Sequence, residues 1–152
     1  MDFEIAKEKA VRYLVIARKT EHEVRMKLKK QKFQDEVIDE VIDYLINIGY
    51  INDNEYVDAY IRQCMHLLNY SIFEIKQKLL QKGIKKYIIE EKLEKLKETN
   101  YENELIQKLL NSKLKNMDDI KRKKYLYRRG LSTSSFIDYE EWLDENKCSN
   151  ST

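Results

Sequence analysis

With 152 residues, 42% of them hydrophobic and 37% charged, the chain can make one ordinary domain or a short repeat array, but it lacks the apolar material for a thick core. It has no proline and only three glycines, so little interrupts helices; no apolar run reaches the roughly 18–20 residues of a membrane span, and the start Met1-Asp2-Phe3-Glu4 lacks a signal-peptide layout. The net charge of +2 favours no partner by itself, and the two cysteines, Cys64 and the tail residue Cys148, make no disulfide or metal framework, so the expectation is a cytoplasmic protein with reduced thiols.

In chain order, the first predicted helix runs from about Phe3 to Ala17, with Ile5, Ala6, Ala10, Tyr13, Leu14 and Ala17 inward. Thr20 then caps a short helix, and Glu23 three positions on completes a capping box, in which hydroxyl and carboxylate satisfy free N–H groups at the helix start. Val24 and Leu28 share its inner face, and it stops at Lys32-Phe33. Val37, Ile38, Val41, Ile42 and Leu45 mark a third helix by the helical period, and Gly49 ends it. Asn52 and Glu55 form a further possible capping box before a long helix from about Asn54 to Leu68, with Val57, Tyr60, Ile61, Met65 and Leu68 inward. Ser71 and Glu74 repeat the capping box, Ile75 and Leu79 the inner face, and Gly83-Ile84 the stop. Ile88, Ile89, Leu93 and Leu96 follow, then a helix from about Asn103 to Leu114 with Leu105, Ile106, Leu109, Leu110 and Leu114 inward. Asp118 keeps the cap of the next short helix, where Lys121 replaces the glutamate, Arg122 an apolar residue, and Leu126 persists before Gly130-Leu131. Phe136, Tyr139 and Leu143 mark the last helix, with Trp142 as its terminal plug.

The segments Thr20–Leu45, Ser71–Leu96 and Asp118–Leu143 align without gaps, at offsets of 51 and 47 residues. A longer helix precedes each. The fold expected is therefore all-α: three tandem three-helix repeats, about 1–48, 49–98 and 99–145, forming an elongated, curved array. Residues 1–145 make a single helical-repeat domain, and 146–152 a disordered tail.

Charge alternates in blocks. Residues 1–33 carry ten positive and five negative side chains, 34–60 none and eight, 61–97 nine and four, 98–130 nine and five, and 131–152 one and five. The short middle helices are the basic elements. The helices after them are acidic in the first and third copies, but 85–97 carries five positives against three negatives, so the alternation is a tendency. If the repeats stack in parallel, the middle helices align their cations in a stripe that attracts phosphates or acidic protein faces. The candidate contact residues are Arg18, Lys19, Lys30, Lys76, Lys82, Lys121, Lys124, Arg128 and Arg129. Each lysine reads equally as a solvated surface charge. Arg128 and Arg129 offer bidentate phosphate or carboxylate contacts but sit at a helix end, where a dipole role competes.

No Walker loop, HExxH, CxxC or GxSxG sequence occurs, and Cys64 and His66, two apart on a helix, point away from each other. The eleven tyrosines fall mostly on apolar helical faces, which favours packing over base stacking. Neither an enzyme nor a cofactor is expected.

Five segments together resemble the RecX family of bacterial RecA regulators: Arg18-Lys19-Thr20-Glu21-His22-Glu23-Val24; Gly49-Tyr50-Ile51-Asn52-Asp53; Tyr60-Ile61-Arg62; Leu79 to Ile84; and Arg128-Arg129-Gly130-Leu131-Ser132. None is specific alone; their order, spacing and helical placement over about residues 10–143 are. Thr20 stands where the family usually has serine, Asn52 where it has aspartate, and Leu131 where it has phenylalanine, each conservative in role. The resemblance implies a curved three-repeat protein lying in the groove of the RecA–DNA filament. It would lower RecA's ATPase, strand-exchange and co-protease activities, acting in recombination, DNA repair and the SOS response. It also implies a monomer with weak affinity for single- and double-stranded DNA. The alternatives are a stand-alone basic nucleic-acid-binding module and a helical-repeat adaptor for another protein.

Overall fold

The computed structural model describes residues 2–131 and 144–146, and among these every regular element is a helix. The elements are α1 (Asp2–Ile16), α2 (Glu21–Lys30), α3 (Asp35–Asn47), α4 (Asp53–Gln63) continued by a π-helical turn (Cys64–Leu68), α5 (Ile72–Gln81), α6 (Lys86–Lys97), α7 (Tyr101–Leu110) and α8 (Asp119–Arg128). These are two sets of three helices and the first two helices of a third. The helix expected around Phe136, Tyr139, Trp142 and Leu143 lies outside the described residues.

The starts of the middle helices follow the cap chemistry of the sequence. The Thr20 hydroxyl accepts the Glu23 N–H at 3.1 Å while the Glu23 carboxylate accepts the Thr20 N–H at 3.2 Å. Ser71 and Glu74 make the same pair of bonds at 3.1 and 2.9 Å. Asp118 accepts the Lys121 N–H, and the Asn52 side chain accepts the Glu55 N–H.

The ends share one geometry. The residue after the cap turns left-handed, at Lys32 (φ 67°), Gly83 (φ 77°) and Gly130 (φ 70°). The next N–H then reaches back five residues, Phe33 to Leu28, Ile84 to Leu79 and Leu131 to Leu126. This is the Schellman closure, and it folds the following apolar residue onto the helix being left. Glycine fills the left-handed position twice; α2 puts lysine there.

By contact the chain divides into two units, residues 1–62 with 78–90, and 63–77 with 91 onward. In the first unit α1, α2 and α3 pack on one another around Ala6, Ala10, Val24, Leu28, Ile38, Val41, Ile42, Leu45 and Ile51. The alanines on α1 let the helices approach closely, while Ile5 and Ala17, expected inward, are exposed. In the second unit Ile75, Leu93, Leu96, Leu105, Ile106, Leu110, Leu114, Leu126 and Leu131 are buried. The long helix expected to about Leu68 is α-helical only to Gln63. A π turn takes more residues per turn than an α turn and so rotates the residues beyond it around the axis. Cys64 is fully buried and Leu68 is exposed. The helix expected to Leu114 ends at Leu110, and Leu114 reaches the core from a run of turns held by the Arg122 side chain, which donates to the Leu114 and Lys115 carbonyls. That is the use of Arg122 where the other copies carry an apolar residue.

Candidate functional site

The cations of the middle helices divide into those held by the fold and those facing water. On the first unit, Arg25 is committed to Asp39 and Glu21, and the Asp39 carboxylate is the main cause that raises its pKa above the ordinary arginine value. Lys19 lies 4.7 Å from the Tyr13 ring centre and Lys27 5.3 Å, so both stand over one aromatic. Arg18 is exposed and reaches the Glu55 carbonyl at 3.4 Å. Lys30 is exposed at the other end of α2, about 15 Å away by helix rise. Lys82 is half-buried over the stacked rings of Tyr56 and Tyr60, at 5.9 and 5.5 Å.

On the second unit, Lys76 is half-buried on α5. Arg129 turns inward. Its guanidinium donates twice to the Glu74 carboxylate, at 2.9 and 2.7 Å, once to the Asn69 carbonyl at 2.6 Å, and once to the Tyr125 hydroxyl at 3.2 Å. It ties α8 to the start of α5 and does not belong to the exposed basic face. Arg128, its neighbour, is exposed with Lys121 and Lys124. Their spacing of three and then four residues places them on one side of α8. Together with Met117, Tyr125 and Tyr127 they line one open groove. Three of the nine candidate cations therefore converge, and they do so beside aromatic surface.

The tyrosines are more divided than their apolar helical positions suggest. Tyr56 and Tyr101 are buried and Tyr13, Tyr60, Tyr70 and Tyr125 half-buried, but Tyr127 is 83% exposed and Tyr87 65%. Met117, Tyr125 and Tyr127 are the members of the α8 groove that the sequence did not single out, and Tyr127 is the most exposed of them. Tyr127 follows Leu126, the inner-face position that α8 shares with Leu28 of α2 and Leu79 of α5, and so sits about a quarter-turn away from that buried residue.

A second cleft, on the first unit, is lined by residues that include Glu21, Asn52, Asp53, Lys85 and Tyr87. Burial pushes the Asp53 carboxyl up, against the bond it accepts from the Glu21 N–H at 2.9 Å. That bond fixes the start of α2, so the carboxylate has a structural use. Among the described residues no group of three or more metal-ligating side chains occurs, and no helix is long and apolar enough to cross a membrane.

Short helices in consecutive sets of three, opened by capping boxes and closed by left-handed turns, define the class: a helical-repeat protein of small three-helix domains. The family models agree. Residues 6–45 match that of the first three-helix domain of RecX and residues 52–93 that of the second. The chain belongs to the RecX family. It is 35% identical over 140 residues to the regulatory protein RecX of Clostridium acetobutylicum, covering 85% of this chain and 64% of that one. It is 34% identical over 128 residues to the regulatory protein RecX of Streptococcus agalactiae, covering 84% and 49%. The chain thus spans about half to two-thirds of the length of these relatives. The crystal structure of RecX from Lactobacillus salivarius superposes with a TM-score of 0.79 at 28% identity, over 94% of this chain and 97% of that one. A second RecX crystal structure shares the fold, with a TM-score of 0.80 at 24% identity.

Proposed function

We propose that the chain binds RecA and the RecA–DNA filament and inhibits its ATPase, strand-exchange and co-protease activities, and so restrains recombination and DNA repair. It acts in the cytoplasm by binding, without a reaction or cofactor of its own. Membership of a family of regulatory proteins gives the reading its frame. The observation that carries it to a surface is the α8 groove, where Lys121, Lys124 and Arg128 stand exposed beside Tyr125 and Tyr127. Such a face suits a polyanionic partner, because cations neutralise phosphates or carboxylates and the rings supply apolar area. Arg18 and Lys30 are separate exposed candidates on the first unit.

The test is ATP hydrolysis by the cognate RecA on single-stranded DNA, titrated with this protein well below the RecA concentration. Loss of hydrolysis at substoichiometric protein, with free DNA still in excess, is the expected result. Unchanged hydrolysis at equimolar protein overturns the reading. Inhibition that tracks salt-sensitive binding to bare DNA, without RecA, replaces it with a plain nucleic-acid-binding module.

A further inference from the structure

Helix α1 has two unlike sides. Ala6 and Ala10 are fully buried in the core of the first unit. The side opposite Ala10 carries Ile5, Glu8, Arg12 and Val15, all exposed, with Ile16 beside them. Ile5 is 48% exposed, Val15 79% and Ile16 81%, and the last two are the most exposed aliphatic side chains among the described residues. Ile5, Glu8, Arg12 and Val15 follow one another by three, four and three residues, the spacing of a seam along which two helices pack. A shallow groove lined by residues that include Glu4, Ile5, Glu8, Val11 and Arg12 runs along it.

The seam is its own complement. Ile5 and Val15 lie five residues to either side of Ala10, and Glu8 and Arg12 lie two. A two-fold axis at the level of Ala10 therefore brings Ile5 of one copy against Val15 and Ile16 of an antiparallel second copy, and Glu8 against its Arg12, each contact made twice. Within one chain Glu8 and Arg12 pair at 2.6 Å with both side chains largely in water, so the pair contributes little where it stands. Between two copies the four charges meet their opposites, and the apolar clusters on either side shield them from water. The exposed acids Asp2, Glu4 and Glu8 precede Ala10, and the exposed Arg12 and Arg18 follow it. Antiparallel approach sets acid against base, whereas parallel approach sets like against like. Lys9, next to the axis, is indifferent to direction.

We infer that the outer side of α1 is an antiparallel dimer face and that its occupant is a second copy of this chain. Isolated aliphatics on a surface are ordinary; here three fall on one side of one helix, each with an apolar counterpart across the axis. The contact is isologous, so it closes at two chains and does not grow. One helix from each partner makes a small interface, which sets the dissociation constant at about 10–100 μM. The inference departs from the monomer that the family resemblance implies, and it does not rest on RecA.

The test is molar mass by sedimentation equilibrium of the whole chain across a concentration series. The mass of the unaltered protein is expected to rise from one chain to two and stop there. Val15→Lys, and independently Ile5→Lys, should hold it at one chain; both positions are exposed, and circular dichroism establishes that each variant is folded. Glu8→Arg sets arginine against arginine and should weaken association by about tenfold or more. Glu8→Arg/Arg12→Glu reverses both charges and should restore it, a rescue that a parallel pair or another face would not give. A single-chain mass that persists to about 1 mM overturns the inference. So does association that exceeds two chains, survives both lysine variants, or fails to recover in the charge swap.

Discussion

Glu23 and Glu74 hold the same position in consecutive middle helices and differ in what the rest of the chain brings to them. Both accept the N–H of their cap residue. Glu74 also receives two bonds from Arg129, whose side chain is only 17% exposed. Burial alone would raise the Glu74 carboxyl, but Arg129 and the Ser71 N–H outweigh it and hold it below the usual glutamate value. At Glu23 the counterpart of Arg129 is Lys82, which stands over Tyr56 and Tyr60. Glu74→Gln is therefore expected to cost about 1.5–3 kcal/mol in a urea melt at pH 7, because it leaves a part-buried guanidinium short of its counter-charge. Glu23→Gln should cost less than about 1 kcal/mol, since an amide oxygen still accepts the cap bond. The pH dependence follows from the depressed carboxyl. Its contribution is complete above the ordinary glutamate pKa and is lost as the pH falls through the lower folded-state value. The gap between Glu74→Gln and the unaltered protein should thus narrow in melts taken progressively below the ordinary glutamate pKa.

At the scale of the element, the caps and closures decide where the helices lie. Gly49 and Gly83 both sit at positive φ, 82° and 77°, but a Cβ at Gly49 meets nothing within 4 Å whereas one at Gly83 meets the His22 ring. Gly49→Ala should cost about 1–2 kcal/mol for the left-handed backbone alone. Gly83→Ala should cost about 1–3 kcal/mol more for the clash, and His22→Ala in the same chain should recover most of that difference in a thermal melt. Helix identity was legible in the sequence because capping boxes, stop glycines and an apolar period are local signals. Ile88, Ile89, Leu93 and Leu96 are all buried, as their period implies. The π turn was not legible. An α-helical period carried through Cys64 puts Leu68 inward, and nothing in the side chains of 64–68 marks the added residue per turn. The left-handed turn at Lys32 was legible as a stop by comparison with Gly83 and Gly130, though no glycine announces it.

For the whole molecule, the basic character of the middle helices could be read from composition, but which cations remain free for a partner could not. Arg129 turns inward because Glu74, 55 residues earlier, awaits it, and Arg128 does not; two adjacent arginines give no local sign of that difference. A test of the proposed binding face should accordingly spare Arg129. Lys121→Gln/Lys124→Gln/Arg128→Gln changes three exposed residues on one side of α8 and should leave the melting temperature within about 2–4 °C. If the protein inhibits RecA hydrolysis as proposed, the same variant should raise the concentration needed by about tenfold or more and flatten its salt dependence. A variant at Arg129 should instead lose stability, and inhibition only as a consequence.

The π turn also places a clock inside the protein. Cys64, its first residue, is fully buried beneath a segment where Tyr101, its hydroxyl pushed up to about 12 by burial first and by Cys64 next, bonds the Tyr70 carbonyl. The chain has one other thiol, Cys148. With that one replaced by serine, Cys64 can attack a thiol-reactive dye in the surrounding water only when the turn opens, and only as its thiolate. The ratio of its labelling rate in the unfolded chain to that in the native protein then reports how rarely this stretch opens, a quantity that a global melt averages away.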